Sequence, residues 1–502
     1  SVEPRHDVQG SLLTPYETPD GEVTTHGCVA LIRFRGPASG AAFLRQVQEV
    51  LTTEPPLPNQ PIALHSTLVN LGLTFQGLQS LGLEPQLLAS FPKEFQEGLE
   101  RRAGMLGDIG RNHPELWELP RANWPDMNAE DEGEPIQLSI VDAVLVLQTR
   151  GEENSDHDLL PSLAVFLQSL AALVDVLHVQ PTRRFSTKGH FNLEDGISQP
   201  KARGDASAAG ALDRDPVALG ELLLGYPNER GELCELEPKA LFTNSTFLAL
   251  RKIAQDVEAY RSIQPYDNEL ALGRRADGSA LELEGLPASA KNPKDNEFSY
   301  PASPKESRCP HFAHVRRANP RTEPKPPRIL RRGMSYGPTF ETDAKAPRGL
   351  MFMAFAASLA EQYEVVQRWV NAGNSTGVLS AHPDLIAGPF PEGSQRRLYY
   401  SNALGTGQIP LPKRQPSVLS WGLYAFVPSR SALEWLAAAA SRGRVQAAPP
   451  VPYSAPPDRG AAPNALSSPP TQAGAYAFEP DSPALKMKVF LEGGGSPTPE
   501  GA

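Results

Sequence analysis

The 502-residue chain reads as an α+β protein in which strands lead into helices, with the arrangement occurring twice. Three observations predict this. Residues 26–35, HGCVALIRFR, put Cys28, Ala30, Ile32 and Phe34 on one face and Arg33 and Arg35 on the other, which is the period of a strand. Near-continuous apolar residues over Ile136–Leu147 read as a buried strand, with Leu159–Val174 as a helix packed on it. The second half repeats the theme with strand-like runs over Phe247–Ile253, Gly349–Ala356 and Trp421–Val427. A chain this long exceeds what one core usually organises, so two domains or a duplicated unit is expected.

In chain order, Ser39 is placed to cap a helix running to about Thr53. A strand over Ile62–Leu71 precedes a short helix near Phe75–Leu81, with Thr74 as its cap. Ser358 follows the strand at Gly349–Ala356 and, with Glu361 three residues on, makes a capping box. Ser431 and Glu434 repeat the box after Trp421–Val427. These pairs imply sheets with helices on one face, in the manner of a ferredoxin-like unit. Residues 263–308 are polar, with few regularly spaced apolar groups, and read as a long surface insertion. From about Arg442 the chain is dominated by Pro, Ala, Gly and Ser, a composition that buries too little apolar surface to offset chain entropy. Only Ala475–Phe478 and Leu485–Leu491 are expected to dock there.

With 47 basic against 58 acidic residues the net charge is −11, which argues against nucleic acid or an anionic membrane as the main partner. Cys28, Cys234 and Cys309 cannot make a disulfide framework and fit a reducing compartment. No apolar stretch approaches the roughly 20 residues of a membrane helix, and no segment combines a basic start with an apolar run. A soluble, cytoplasmic protein is expected, with secretion still open because a leader removed before Ser1 would be invisible.

Chemistry concentrates in Cys309–Gly337, CPHFAHVRRANPRTEPKPPRILRRGMSYG. Cys309, His311 and His314 invite a zinc reading, since thiolate and imidazole are preferred ligands, but no second cluster supplies a fourth. His314 also suits an ordinary histidine that satisfies backbone groups. Arg331 and Arg332 suit either a solvated basic pair or anion contacts. Upstream, Asp195-Gly196 is a common turn dipeptide in its own right.

The strings around these residues carry a resemblance. Residues 309–321, CPHFAHVRRANPR, closely resemble the haem-ligand segment of the dye-decolourising peroxidases, which usually reads CPFAAHIRKxNPR. Residues 329–337, ILRRGMSYG, look like that family's RRGxxYG segment, and residues 190–200, HFNLEDGISQP, resemble its GxxDGIS signature, with Asn192 in place of the glycine. Asparagine is the next residue after glycine to tolerate positive φ. Asp7-Val8-Gln9-Gly10-Ser11-Leu12-Leu13 looks like the DIQGNIL opening, and residues 381–388, AHPDLIAG, resemble the region that donates a carboxylate to the proximal histidine.

The resemblance implies two ferredoxin-like domains, over residues 1–240 and 241–441, with haem b held mainly by the second and a flexible tail over 442–502. His314 falls on the proximal iron ligand, Asp384 on its carboxylate partner, Asp195 on the distal acid-base and Arg331 on the distal arginine. Leu350 and Phe352 fall on the apolar roof of the pocket. Hydrogen peroxide would be reduced through an oxoferryl porphyrin radical, and dyes or phenols, too bulky for that pocket, would give up electrons at a surface residue. Tyr336 is the first candidate for that transfer, with a packed aromatic as its other reading. A haem carrier would need His314 without Asp195 and Arg331, and an interaction module would bind no haem. The physiological reductant and the oligomeric state leave no mark in the sequence.

Overall fold

Two copies of one strand-helix-strand-strand-helix-strand path, joined edge to edge, make the sheet of this protein. The structure is a computed structural model that describes residues 6–10, 12, 23–53, 67–127, 133–151, 159–185, 188–203, 216–283, 296, 298–301, 303, 305–322, 325–371, 382–389 and 397–442. The tail beyond Arg442 and its two docking segments, part of the 263–308 segment, and residues 62–66, Ser11, Leu13 and Ala381 lie outside them.

The first copy consists of β1 (His26–Phe34), β2 (Thr67–Leu73), β3 (Ala143–Thr149) and β4 (Val174–Arg183), in the order β2-β3-β1-β4 and antiparallel throughout. Helices Pro37–Val50 and Pro161–Leu170 supply its crossovers. Two minor strands, β5 (Lys201–Ala202) and β6 (Pro216–Val217), pair with each other. The second copy runs through β7 (Thr246–Gln255), β8 (Leu330–Arg331), β9 (Met334–Tyr336) and β10 (Gly349–Ala356). A hairpin of β11 (Arg397–Asn402) and β12 (Gly405–Pro410) precedes its last strand, β13 (Ser417–Val427). Its order, β13-β7-β10-β9, repeats that of the first copy, so both halves are ferredoxin-like.

The halves share their edges. β13 meets β2 through Phe426 and Leu73, and β4 meets β9 through Arg183 and Ser335. Because β7 also pairs with β10, the nine-stranded sheet closes on itself. One seam is reinforced by the N-terminal motif. The Gln9 amide donates to the carbonyls of Leu71 and Pro428, both at 2.8 Å, and accepts from the Leu71 N–H. Asp7 accepts from the amide and hydroxyl of Ser431 and from Asn244. On the helical side, Phe91, Phe95, Phe242, Phe247 and Phe426 form a continuous aromatic cluster at edge-on and tilted angles.

Local signals held where neighbours in sequence decide them. Thr74 accepts from Gly77 N at 2.9 Å and caps the Phe75–Ser80 helix. Ser358 accepts from Glu361 N, but the return bond of the box comes from Gln362, whose Oε1 takes the Ser358 N–H, while Glu361 pairs with Arg230. Other expectations moved. The first helix starts at Pro37, not after Ser39, because proline fixes φ for the opening turn; Ser39 instead donates to Gly36 O. The apolar run 136–147 is broken by a helical turn at Leu138–Ile140, and the strand begins only after Asp142, whose carboxylate accepts from Phe34 N and Ser80 Oγ. Ser429, not Ser431, accepts from Ala432 N at the last helix, since Ser431 is drawn to Asp7.

The 263–308 segment is not a surface insertion where it is described. Leu270, Ala271 and Leu281 are buried in a second, smaller core with Phe191, Tyr260, Phe312, Leu385 and Ile386. Its partners arrive from distant parts of the chain, which is why the segment's own periodicity does not reveal its burial.

Candidate active site

His314 opens the short helix His314–Ala318. Its Nδ1 lies 2.8 Å from Oδ2 of Asp384, seventy residues away in sequence and fully buried. The other oxygen of Asp384 accepts the N–H groups of Ile386 and Ala387 at 2.8 and 2.9 Å, so every contact fixes the carboxylate's direction. Burial pushes the Asp384 carboxyl upward, but the His314 imidazole, Arg317 and the Ala387 N–H outweigh it and hold the group below the usual carboxylate range. An ionised carboxylate can only accept, so Nδ1 carries a proton, and in the neutral imidazole Nε2 is left with its lone pair for a metal.

The Asp195 loop is built from left-handed residues. Asn192, Gly196 and Ser198 all have positive φ, at 57°, 79° and 62°, so asparagine at the motif's glycine position does take the conformation that the turn requires. Asp195 itself is exposed, and its Oδ1 accepts from Gly196 N at 2.7 Å.

Arg331 is tied to this loop. Its guanidinium donates to Ile197 O at 2.9 Å, and its own N–H donates to the Gln199 side chain at 3.0 Å. Arg331 stands opposite Ala354 on β10, and residues paired across antiparallel strands share a face. Successive residues alternate, so Leu350 and Phe352, both half-buried, lie on the face of Arg331. Arg332 points the other way, between the two halves of the sheet, where it donates to Leu12 O and lines a narrow space with Gln148, Leu248 and Met353.

The structure therefore assembles two groups, His314 with Asp384 and the Asp195 loop with Arg331, Leu350 and Phe352. One apolar cluster reaches both. Phe191 lies four residues before Asp195, Phe312 two before His314, and Leu385 directly after Asp384. Tyr336 is elsewhere. It is buried at 4% exposure beneath Lys252, whose Nζ sits 5.0 Å from the ring centroid, so it is not the surface residue that bulky donors require. Sequence reasoning missed Arg328, which donates to Ser198 O at 3.2 Å, and Gln362, which donates to Arg328 O at 2.6 Å; together they brace the Asp195 loop. Nothing local marks either residue, because each acts on backbone far away in sequence.

The zinc reading fails on chemistry. Among the described residues no group of three or more His, Cys, Asp or Glu side chains converges on a metal position. Burial pushes the Cys309 thiol up to about 12, so forming the thiolate that a metal would need is costly there. A cavity of about 680 Å³ lined by Arg111, Glu118, Asp256, Arg348, Arg414 and Gln415 contains none of the candidate residues. What the described residues offer a metal is a single imidazole with an anionic partner.

Residues 228–388 match the family model of the Dyp-type peroxidase, C-terminal. Over this stretch the chain is similar to the dye-decolourising peroxidases. Among its relatives, a multifunctional dye peroxidase of an Amycolatopsis species is 28% identical over 298 residues, 49% of this chain and 60% of the relative. Peroxidase 2 of Mycetinis scorodonius is 24% identical, covering 66% of each chain. The chain thus spans between three fifths and two thirds of the length of these curated family members. Solved structures share the fold. A dye-decolorizing peroxidase in complex with 2,6-dimethoxyphenol superimposes with a TM-score of 0.67 at 21% identity, covering 87% of this chain and all of the other. An ancestral D-type family member gives 0.66 at 22% identity, covering 86% and 98%. Similarity to this family implies a haem cofactor, and His314, held by a buried carboxylate, fits as a ligand for one. No helix among the described residues is long and apolar enough to cross a membrane.

Proposed function

We propose that this chain is a haem b peroxidase that reduces hydrogen peroxide and oxidises dyes, phenols or similar one-electron donors. The observation that carries the reading is the His314–Asp384 pair, at 2.8 Å with the carboxylate fully buried. His314 would hold the iron through Nε2, with Arg331, Leu350, Phe352 and Asp384 completing the cofactor site. When bound, haem would supply the redox centre at which the peroxide O–O bond is cleaved.

The protein's own groups do the rest. Asp384 keeps the proton of His314 on Nδ1 and makes the imidazole a stronger donor. Asp195 takes a proton from one peroxide oxygen and delivers it to the other, which leaves as water. Arg331 stabilises the negative charge that develops on that leaving oxygen. The bonds from Arg331 and Arg328 to Ile197 O and Ser198 O hold the loop so that Asp195 is presented from a fixed backbone. Leu350 and Phe352 keep competing water away from the reacting oxygen. Tyr336, buried, would serve as an interior relay for electrons. A carrier protein would use His314 and Asp384 but has no use for an acid held on an arginine-braced loop.

Asp195→Asn tests the reading. The amide matches the carboxylate in shape but does not shuttle a proton, so stopped-flow reaction with peroxide should slow while haem content is unchanged. A carboxylate base also works at lower pH than an imidazole, so activity should persist into mildly acidic solution. An Asn variant reacting at the wild-type rate across the pH series would move the role to His190 or to a water held by Arg331.

A further inference from the structure

We propose that Arg317 is a positioning residue for the proximal site, a clamp that sets the His314–Asp384 distance and through it the electron-donating strength of the imidazole. The inference rests on His314 being the iron ligand, as proposed above.

Arg317 lies one turn after His314 and is fully buried, among the largest side chains without solvent contact. Its guanidinium is spread over two segments. Nε donates to Phe312 O at 3.1 Å, two residues before His314, and one terminal nitrogen donates to Trp369 O on the Glu364–Asn371 helix. The next residue on that helix, Val370, accepts Asp384 N at 2.9 Å. Asp384 then reaches back to His314. The links form a closed ring: His314, its helix, Arg317, Trp369–Val370, Asp384 and His314 again.

The links are hydrogen bonds that tie the half-buried imidazole to buried groups on two other segments, so the carboxylate–imidazole distance is not free to relax by itself. Arg317 is the side chain in the ring besides the pair itself, and its guanidinium hydrogen-bonds from the ligand helix to the helix that carries the Asp384 anchor. A guanidinium suits the place because its planar fork reaches two carbonyls in different directions at once, which an ammonium does less well. Removing it would free the Phe312 and Trp369 carbonyls from these donors and let the two segments part, lengthening the Nδ1–carboxylate bond. A weaker bond lowers the anionic character of the imidazole and with it the strength of the iron–nitrogen bond.

The test compares wild type, Arg317→Lys, Arg317→Met and Asp384→Asn, each loaded with haem and checked for fold by circular dichroism. The readouts are the iron–histidine stretching band of the ferrous protein by resonance Raman and the midpoint potential of the iron. Asp384→Asn should move both furthest, the band downward and the potential upward. Arg317→Met should move both part of the way, and Arg317→Lys, with one point of donation for two carbonyls, less. Wild-type band and potential in Arg317→Met, alongside a shifted Asp384→Asn, would overturn the clamp. If Arg317→Met does not fold, Arg317→Lys decides, and a wild-type spectrum there overturns it equally. A spectrum that Asp384→Asn leaves unmoved would instead reject His314 as the ligand.

Discussion

Replacing Asp384 with Asn perturbs the proximal site at one atom, and the structure says what must follow. The carboxylate uses both oxygens: Oδ2 for His314 Nδ1, Oδ1 for the N–H groups of Ile386 and Ala387. An amide has only one oxygen. If that oxygen keeps the two backbone N–H groups, the NH₂ faces Nδ1 and forces the imidazole proton onto Nε2, where it blocks ligation. If the oxygen turns to His314, the NH₂ faces two N–H groups in a fully buried site. Both arrangements weaken the ligand, and loss of such a partner typically costs 10–100-fold in affinity, about 1.4–2.7 kcal/mol. Titration of the apo-protein with haem, followed by the Soret band, should show a dissociation constant raised within that range. An Asn variant binding haem within about twofold of wild type would refute the argument.

Arg331→Leu should slow the peroxide reaction by about two orders of magnitude, and Arg332→Leu, on the opposite face of the sheet, far less; stopped-flow rates in the reverse order would sink the assignment. Asp108→Ala should destabilise the protein by about 3–5 kcal/mol, because it strips the buried Arg251 guanidinium, bonded at 2.6 and 3.0 Å, of its carboxylate; denaturant unfolding with an unchanged midpoint would refute this. His178 should make stability pH-dependent, because burial pushes its imidazole down to about 4 while its Nδ1–H donates to Arg121 O. Above pH 6.5 both states are neutral there; from 6.5 down to about 4 only the unfolded chain takes the proton, so stability falls with pH by about 3 kcal/mol in all. His178→Leu should flatten that slope in unfolding experiments at pH 7, 5.5 and 4.5, and an identical slope would place the effect elsewhere.

The parts of the fold that were legible are those that neighbours decide. The β10 strand carries its apolar run from Gly349 to Ala356, as read, and Thr74 caps as read, because a hydroxyl three residues before an N–H needs no outside help. In sequence Ser431 reads as the cap of the last helix, and Ser429 takes that place because Asp7, from the other end of the chain, draws Ser431 away. Polar residues 263–308 hide Leu270 and Leu281 because Phe312 and Leu385 supply the other half of their core. The site divides the same way. Composition and spacing left His314 open between an ordinary histidine and zinc, and haem came only from the resemblance. Its bond to Asp384 spans seventy residues and was expected from the resemblance alone. Arg328 and Gln362, which act on distant carbonyls, had no signal to give.

The central claim is that His314 holds a haem that reacts with peroxide, and the visible spectrum of the haem-loaded protein tests it most directly. Wild type should show the spectrum of a histidine-ligated ferric haem that changes within the mixing time of one equivalent of peroxide and returns on adding a phenol, while His314→Ala should lose haem and the response together. A His314→Ala protein with full haem content and an unchanged spectrum would contradict the account, with His311 as the next ligand to examine.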